Sequence, residues 1–229
     1  MSDLNLDTSN ILKITEHFIF MFDKNCPKSW VDNLSAQAEK RFQYVLDFFK
    51  APAQKSKKKT IYKVNMDSNE KGRYAPFHIS CSVPMETNLL HPFVHEEVHN
   101  VTFIIYGKLP CFWFEGIAEY LQRKIAGEAT ADFSFLREEE DREKFTNFIR
   151  EHFEWLITEY DYEKFAELRS EFWLYTLAEN FIDLIIENYG VDFFLDILKM
   201  MQDENIEEVH EILKGEIMGK WISSIKSFG

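Results

Sequence analysis

The stretch 91-HPFVHEEVHNVTFII-105, followed by 109-LPCFWFEGIAEYL-121, decides how the rest of the chain is read. His95 and His99 stand four residues apart, which on a helix is one turn up the same face. Two imidazoles so placed can share one metal ion. Glu96 lies about 60° from His99 on a wheel of 3.6 residues per turn. It flanks such an ion without ligating it, the position of a general base acting on metal-bound water. Glu97 falls on the far side of the wheel and is expected to be solvated. Val94, Val98, Val101 and Ile105 form an adjacent apolar stripe that anchors the helix.

Two histidines do not complete a catalytic zinc site, which takes three protein ligands and leaves one position for water. Glu115 can supply the third. It lies on a second expected helix, over 112–125, entered through Pro110 after a connection in which Gly107 and Pro110 can turn the chain back. Gly116 and Ala118 are small enough to let this helix approach the first closely. Glu119, one turn beyond Glu115, is placed to accept the second N–H of a ligand histidine. His91 is expected at the rim, because a fourth protein ligand would close the site to water. A surface helix with two solvated histidines and no metal is the competing reading of the same residues.

The HEEVH pattern with LPCFWFEGIAEYL resembles the gluzincin metallopeptidases. More narrowly it resembles the peptidase MA-like proteins, whose second motif runs approximately Trp-x-x-Glu-Gly-x-Ala-x-Tyr. Trp113, Glu115, Gly116, Ala118 and Tyr120 carry the likeness. The tryptophan stands one place closer to the glutamate than in that pattern, and Phe112 occupies its usual position. The resemblance implies that His95, His99 and Glu115 bind one zinc ion (Zn2+) and that Glu96 is the base in hydrolysis of a peptide or protein substrate. An edge strand over 75–80 lines the cleft in such proteins, which makes His78 or Tyr74 a candidate substrate contact. Peptide hydrolysis also needs an oxyanion donor, for which Tyr120, Tyr175 and Tyr189 are available. The alternative on the same fold is a non-catalytic, zinc-containing peptide- or protein-binding module. The intact Glu96 speaks against it.

Before the motifs, residues 11–23 alternate Phe18, Phe20 and Phe22 with Ile19 and Met21, as in one strand covered on both faces. A helix is expected from a Ser29 cap to about Phe49, with Val31, Leu34, Ala38, Phe42, Val45 and Phe49 on one stripe. Thr60–Val64 reads as a strand, 67–72 as a loop, and 74–83 as one or two strands, with Pro76 favouring an edge. Pro84 closes the region. Beyond Phe133 the periodicity is helical, over roughly 137–159, 162–188, 191–202, 206–213 and 216–226, with Gly190 as a helix-ending glycine. The expected class is α+β: a small N-terminal mixed sheet with a helix, the histidine helix, then a mainly helical C-terminal lobe. One domain accounts for residues 1–229, with 1–86 as an α/β lobe, 87–125 as the site helices and 126–229 as the helical lobe.

The chain has 229 residues, 45% of them hydrophobic and 28% charged, with a formal net charge of -13. That acidity argues against nucleic acid as a partner and against adhesion to anionic membranes. Cys26, Cys81 and Cys111 are odd in number and widely spaced, which indicates neither a disulfide framework nor a thiolate metal site. The opening MSDLNLDTSN lacks the pattern of a secretory signal, and no apolar run is long enough for membrane insertion. A cytoplasmic protein is the expectation.

Overall fold

The computed structural model describes residues 10–52, 58–65, 73–82, 91–127, 136–168 and 173–227. The loop expected over 67–72, the Pro84 stop, most of the Lys55–Lys59 run and the His91 side chain lie outside this description. The chain divides into two compact units, Met1–Ile105 and Tyr106–Gly229.

In the first unit, the single strand expected over 11–23 is a hairpin instead. Strands β1 (Asn10–Ile14) and β2 (Phe18–Asp23) pair antiparallel, with Ile14 opposite Ile19. The polar triplet Thr15-Glu16-His17 breaks the apolar alternation and makes the turn, and the Thr15 N–H donates to the Phe18 carbonyl at 3.0 Å. Phe18, Phe20 and Phe22 are fully buried, while Ile19 and Met21 are only partly covered.

Helix α1 (Lys28–Phe48) starts one residue before the expected cap, so Ser29 lies inside its first turn. Its apolar stripe is buried as expected, and Arg41 is buried with it. Strand β3 (Thr60–Asn65) then pairs parallel to β2, completing a β–α–β unit. Strands β4 (Arg73–Ala75) and β5 (His78–Ser82) form a second hairpin, turned at Pro76 and Phe77. The sheet order is β1-β2-β3-β5-β4, with β5 parallel to β3. His78 is therefore not on an edge strand as expected. The edge is β4, because β5 offers β3 the longer pairing, five residues against the three it shares with β4.

Phe93 of helix α2 (His91–Tyr106) joins the aromatic layer over this sheet, 6.2 Å from the Tyr62 ring and 6.1 Å from Trp30.

The second unit is helical among its described residues: α3 (Cys111–Ala126), α4 (Glu139–Thr158), α5 (Tyr162–Leu168), α6 (Leu174–Gln202), α7 (Ile206–Ile212), a π-turn (Leu213–Ile217) and α8 (Met218–Lys226). The one helix expected over 162–188 is two, because Trp173 at φ 47 cannot continue a right-handed helix into α6. Gly190, at φ 86, breaks α6 where a helix-ending glycine was expected. Trp113, Phe153, Phe181 and Trp221 form the aromatic centre of this unit, with Phe181 and Trp221 rings 4.6 Å apart.

Helices α3 and α6 meet at Gly116. A Cβ there would lie 2.8 Å from the backbone carbon and oxygen of Ala178. The bare face of Gly116 thus lies against α6, a different partner from the one expected. Gly116→Ala is expected to destabilise the protein by about 1–3 kcal/mol through overpacking, even though alanine is the better helix former. An undiminished urea midpoint for that variant would contradict the close approach.

The architecture is α+β, a small mixed sheet followed by a mostly helical remainder. Among the described residues no helix is long and apolar enough to cross a membrane.

Candidate metal centre

Helix α2 is enclosed around most of its circumference: Phe93, Val94, Val98, Val101 and Ile105 are buried, and so are the polar Glu97, Asn100 and Thr102. A helix enclosed in this way carries polar side chains only where each has a specific partner. His95 and His99 emerge together on one face. Their ring centroids are 4.5 Å apart and their Nε2 atoms 2.9 Å apart. Imidazole nitrogens at that separation either share a proton or converge on one cation. His99 is buried and His95 half-buried. Glu96 is 8% exposed.

Tyr74 of β4 stands with its ring 5.8 Å from that of His99. Partial burial pushes its hydroxyl well above the ordinary tyrosine value, and the Glu96 charge adds to the push, so it stays a protonated donor. His78 is exposed at the start of β5, its Nδ1 3.4 Å from the Pro76 carbonyl.

Glu97 corrects the sequence reading most sharply. Expected in solvent, it is 1% exposed. Arg41 of α1 donates to both its oxygens, through Nε and, at 2.7 Å, through Nη2, and the Tyr62 hydroxyl of β3 donates at 2.9 Å. The wheel correctly put Glu97 opposite the histidines. That side is covered by α1 and the sheet rather than by water. The available signal was Arg41, a charge set in the apolar stripe of α1 that demanded a buried partner.

On α3, Glu115 is 3% exposed. The helix is entered from Pro110, its Cys111 N–H donates to the Glu159 carbonyl at 2.8 Å, and it ends on left-handed Gly127. Glu115, Glu119 and Arg123 follow at four-residue intervals along one face. Arg123 pairs with Glu179 and reaches Asp183 at 3.0 Å, both on α6. Burial holds the Glu179 carboxyl above its ordinary value, against the pull of Arg123, and the Glu119 charge pushes the same way as burial. Glu119 itself is half-buried. Tyr120 is buried beside Arg123 and Lys124. Tyr175 bonds to Tyr162 at 2.6 Å, and Tyr189 donates to Glu216 at 3.2 Å.

One ligand atom from each of His95, His99 and Glu115 lies within 4.8 Å of the other two. Ligands about 2.0–2.2 Å from a tetrahedral ion stand roughly 3.3–3.5 Å apart, so small adjustments bring this set onto one centre. Two imidazole nitrogens and a carboxylate oxygen are also a donor set that a divalent transition ion accepts. The three residues can hold a metal ion. His17, His152 and His210 pair instead with Glu39, Phe148 and Phe153. No protein-family model matches the chain, and no curated protein matches its sequence.

The three cysteines are free and buried, and none belongs to this cluster. Burial, with the Asp23 charge, pushes the Cys26 thiol up to about 11. Burial and the nearby Glu115 charge push Cys111 to about 11 as well. Burial, with the charges of Glu96 and Glu97, drives Cys81 well above the ordinary range. Since the thiolate is the reactive form, labelling of the folded chain by a thiol reagent at pH 8 is expected to be about 10²-fold slower than that of free cysteine. Unfolding in urea should remove the difference. Rapid labelling of the native chain would contradict this burial.

Proposed function

We propose that this chain is a zinc-dependent peptidase, in line with the gluzincin likeness of its two motifs. The observation that carries the reading is the convergence of His95, His99 and Glu115 within 4.8 Å, with Glu96 following the first histidine on the same helix. Zinc, when bound, supplies a Lewis acid that acidifies water and polarises a carbonyl. The chain's own residues do the rest. His95 and His99 present neutral imidazoles, and Glu115 adds one negative charge that retains a divalent ion. Glu96 takes the proton from the attacking water and returns it to the leaving amine.

Tyr74, a protonated phenol beside His99, is the donor best placed to meet a developing oxyanion. Glu119 steadies a ligand imidazole. The substrate is a peptide or protein segment, and the free, buried thiols suit a reducing, cytoplasmic setting.

Metal analysis tests the reading first. The purified chain is expected to carry about one zinc. A peptide library should be cleaved, and cleavage should cease with a chelator and return with added zinc. A chain without zinc, in which His95→Ala changes nothing, would sink the proposal. Zinc without any cleavage would instead favour the non-catalytic binding module. Tyr74→Phe is expected to lower kcat by about 10²-fold while leaving zinc content intact. An unchanged kcat would remove Tyr74 from this role.

A further inference from the structure

The face of α2 opposite the histidines is tied down by polar bonds. Glu97 accepts from Arg41 and from Tyr62, and one turn further on the Asn100 Oδ1 accepts the Thr60 hydroxyl at 3.1 Å. Thr60 and Tyr62 are two apart on β3 and so lie on one face of the sheet. The Arg41 and Glu97 side chains are 7% and 1% exposed. Burying such a pair is not the most economical way to hold a helix. Well-packed apolar residues of similar volume stabilise as well or better. What the pair adds is direction, because a two-pronged guanidinium–carboxylate contact tolerates far less rotation than apolar ridges do.

At 100° per residue, Glu97 stands about 200° from both His95 and His99. An atom some 6 Å from the helix axis moves about 1 Å when the helix turns by 10°, and misplacements of that size can cost about 10²-fold in rate. We infer that Arg41, Glu97 and Tyr62 are positioning residues: they set the rotation of α2 about its axis and so the direction in which His95, Glu96 and His99 point. The inference rests on the zinc reading above and goes beyond it, since the ligand pattern itself places no demand on position 97.

The test uses the full chain. Arg41→Met combined with Glu97→Leu removes both charges at similar volume. This double variant is expected to fold with a urea midpoint lowered only slightly, by the Tyr62 hydroxyl left without its acceptor, and still bind one zinc, but about 10–100-fold more weakly in competition with a chromophoric chelator. With cobalt(II) in place of zinc, its visible absorption bands should shift, reporting altered ligand geometry. Tyr62→Phe removes one bond and no charge, and should change both readouts in the same direction by less. If the double variant fails to fold, Tyr62→Phe decides the matter. Unchanged metal affinity with an unchanged cobalt spectrum in the variants that fold overturns the inference and leaves the zinc reading standing. A wild-type chain that binds no zinc overturns both.

Discussion

On the proposed zinc-peptidase reading, Glu96→Gln should leave the chain folded and loaded with zinc yet slow hydrolysis by two to four orders of magnitude. That is the range over which a positioned general base contributes. The substitution keeps the size and hydrogen-bonding reach of the side chain and removes its basicity. Glu96 is nearly enclosed but holds no ligand position in the cluster of His95, His99 and Glu115. Zinc content and peptide cleavage, measured on one preparation, separate the two effects. Retained activity in Glu96→Gln would transfer the role of base to another residue. Lost zinc would show that Glu96 ligates the ion.

The largest effect on stability should come from Glu97→Ala. Arg41 would then remain buried without its carboxylate, and Tyr62 would lose an acceptor. Breaking one side of a buried pair typically costs about 3–5 kcal/mol, a large share of the 5–15 kcal/mol that holds a domain together. Urea unfolding of the metal-free chain measures this without interference from zinc binding. A cost under about 1 kcal/mol would mean that Arg41 finds water or another acceptor once Glu97 is gone. The contrast with the double variant is informative, because removing both charges leaves no charge stranded, only the neutral Tyr62 hydroxyl without its Glu97 acceptor.

Local periodicity carried much of the fold and of the site. The spacing of His95 and His99, the acidic helix after Pro110 and the buried stripe of α1 follow from residues close in sequence. What escaped depended on what lay across from them. The wheel gives the direction of Glu97 but not the α1 and β3 surfaces that enclose it. The run of alternating phenylalanines concealed a hairpin because three polar residues are a weak interruption in so apolar a segment. Tyr74 was legible as a candidate substrate contact but not as the neighbour of His99, since the strand order that carries it is set by pairings between distant strands. Gly116 announced a close approach without naming Ala178 as the neighbour.

The parallel pairing of β2 with β3 also sets the order in which the first unit can form. The β1–β2 hairpin closes over a few residues, with Ile14 facing Ile19, and hairpins of that kind form within microseconds. Phe18 cannot meet Thr60 until α1 has been crossed, and closing so long a loop is slow. Glu97 lies 56 residues from Arg41 and 35 from Tyr62, so their bonds wait for that closure. A chain still emerging from the ribosome would hold its hairpin and first helix early. Within the first unit, the orientation of the histidines would be among the last features acquired.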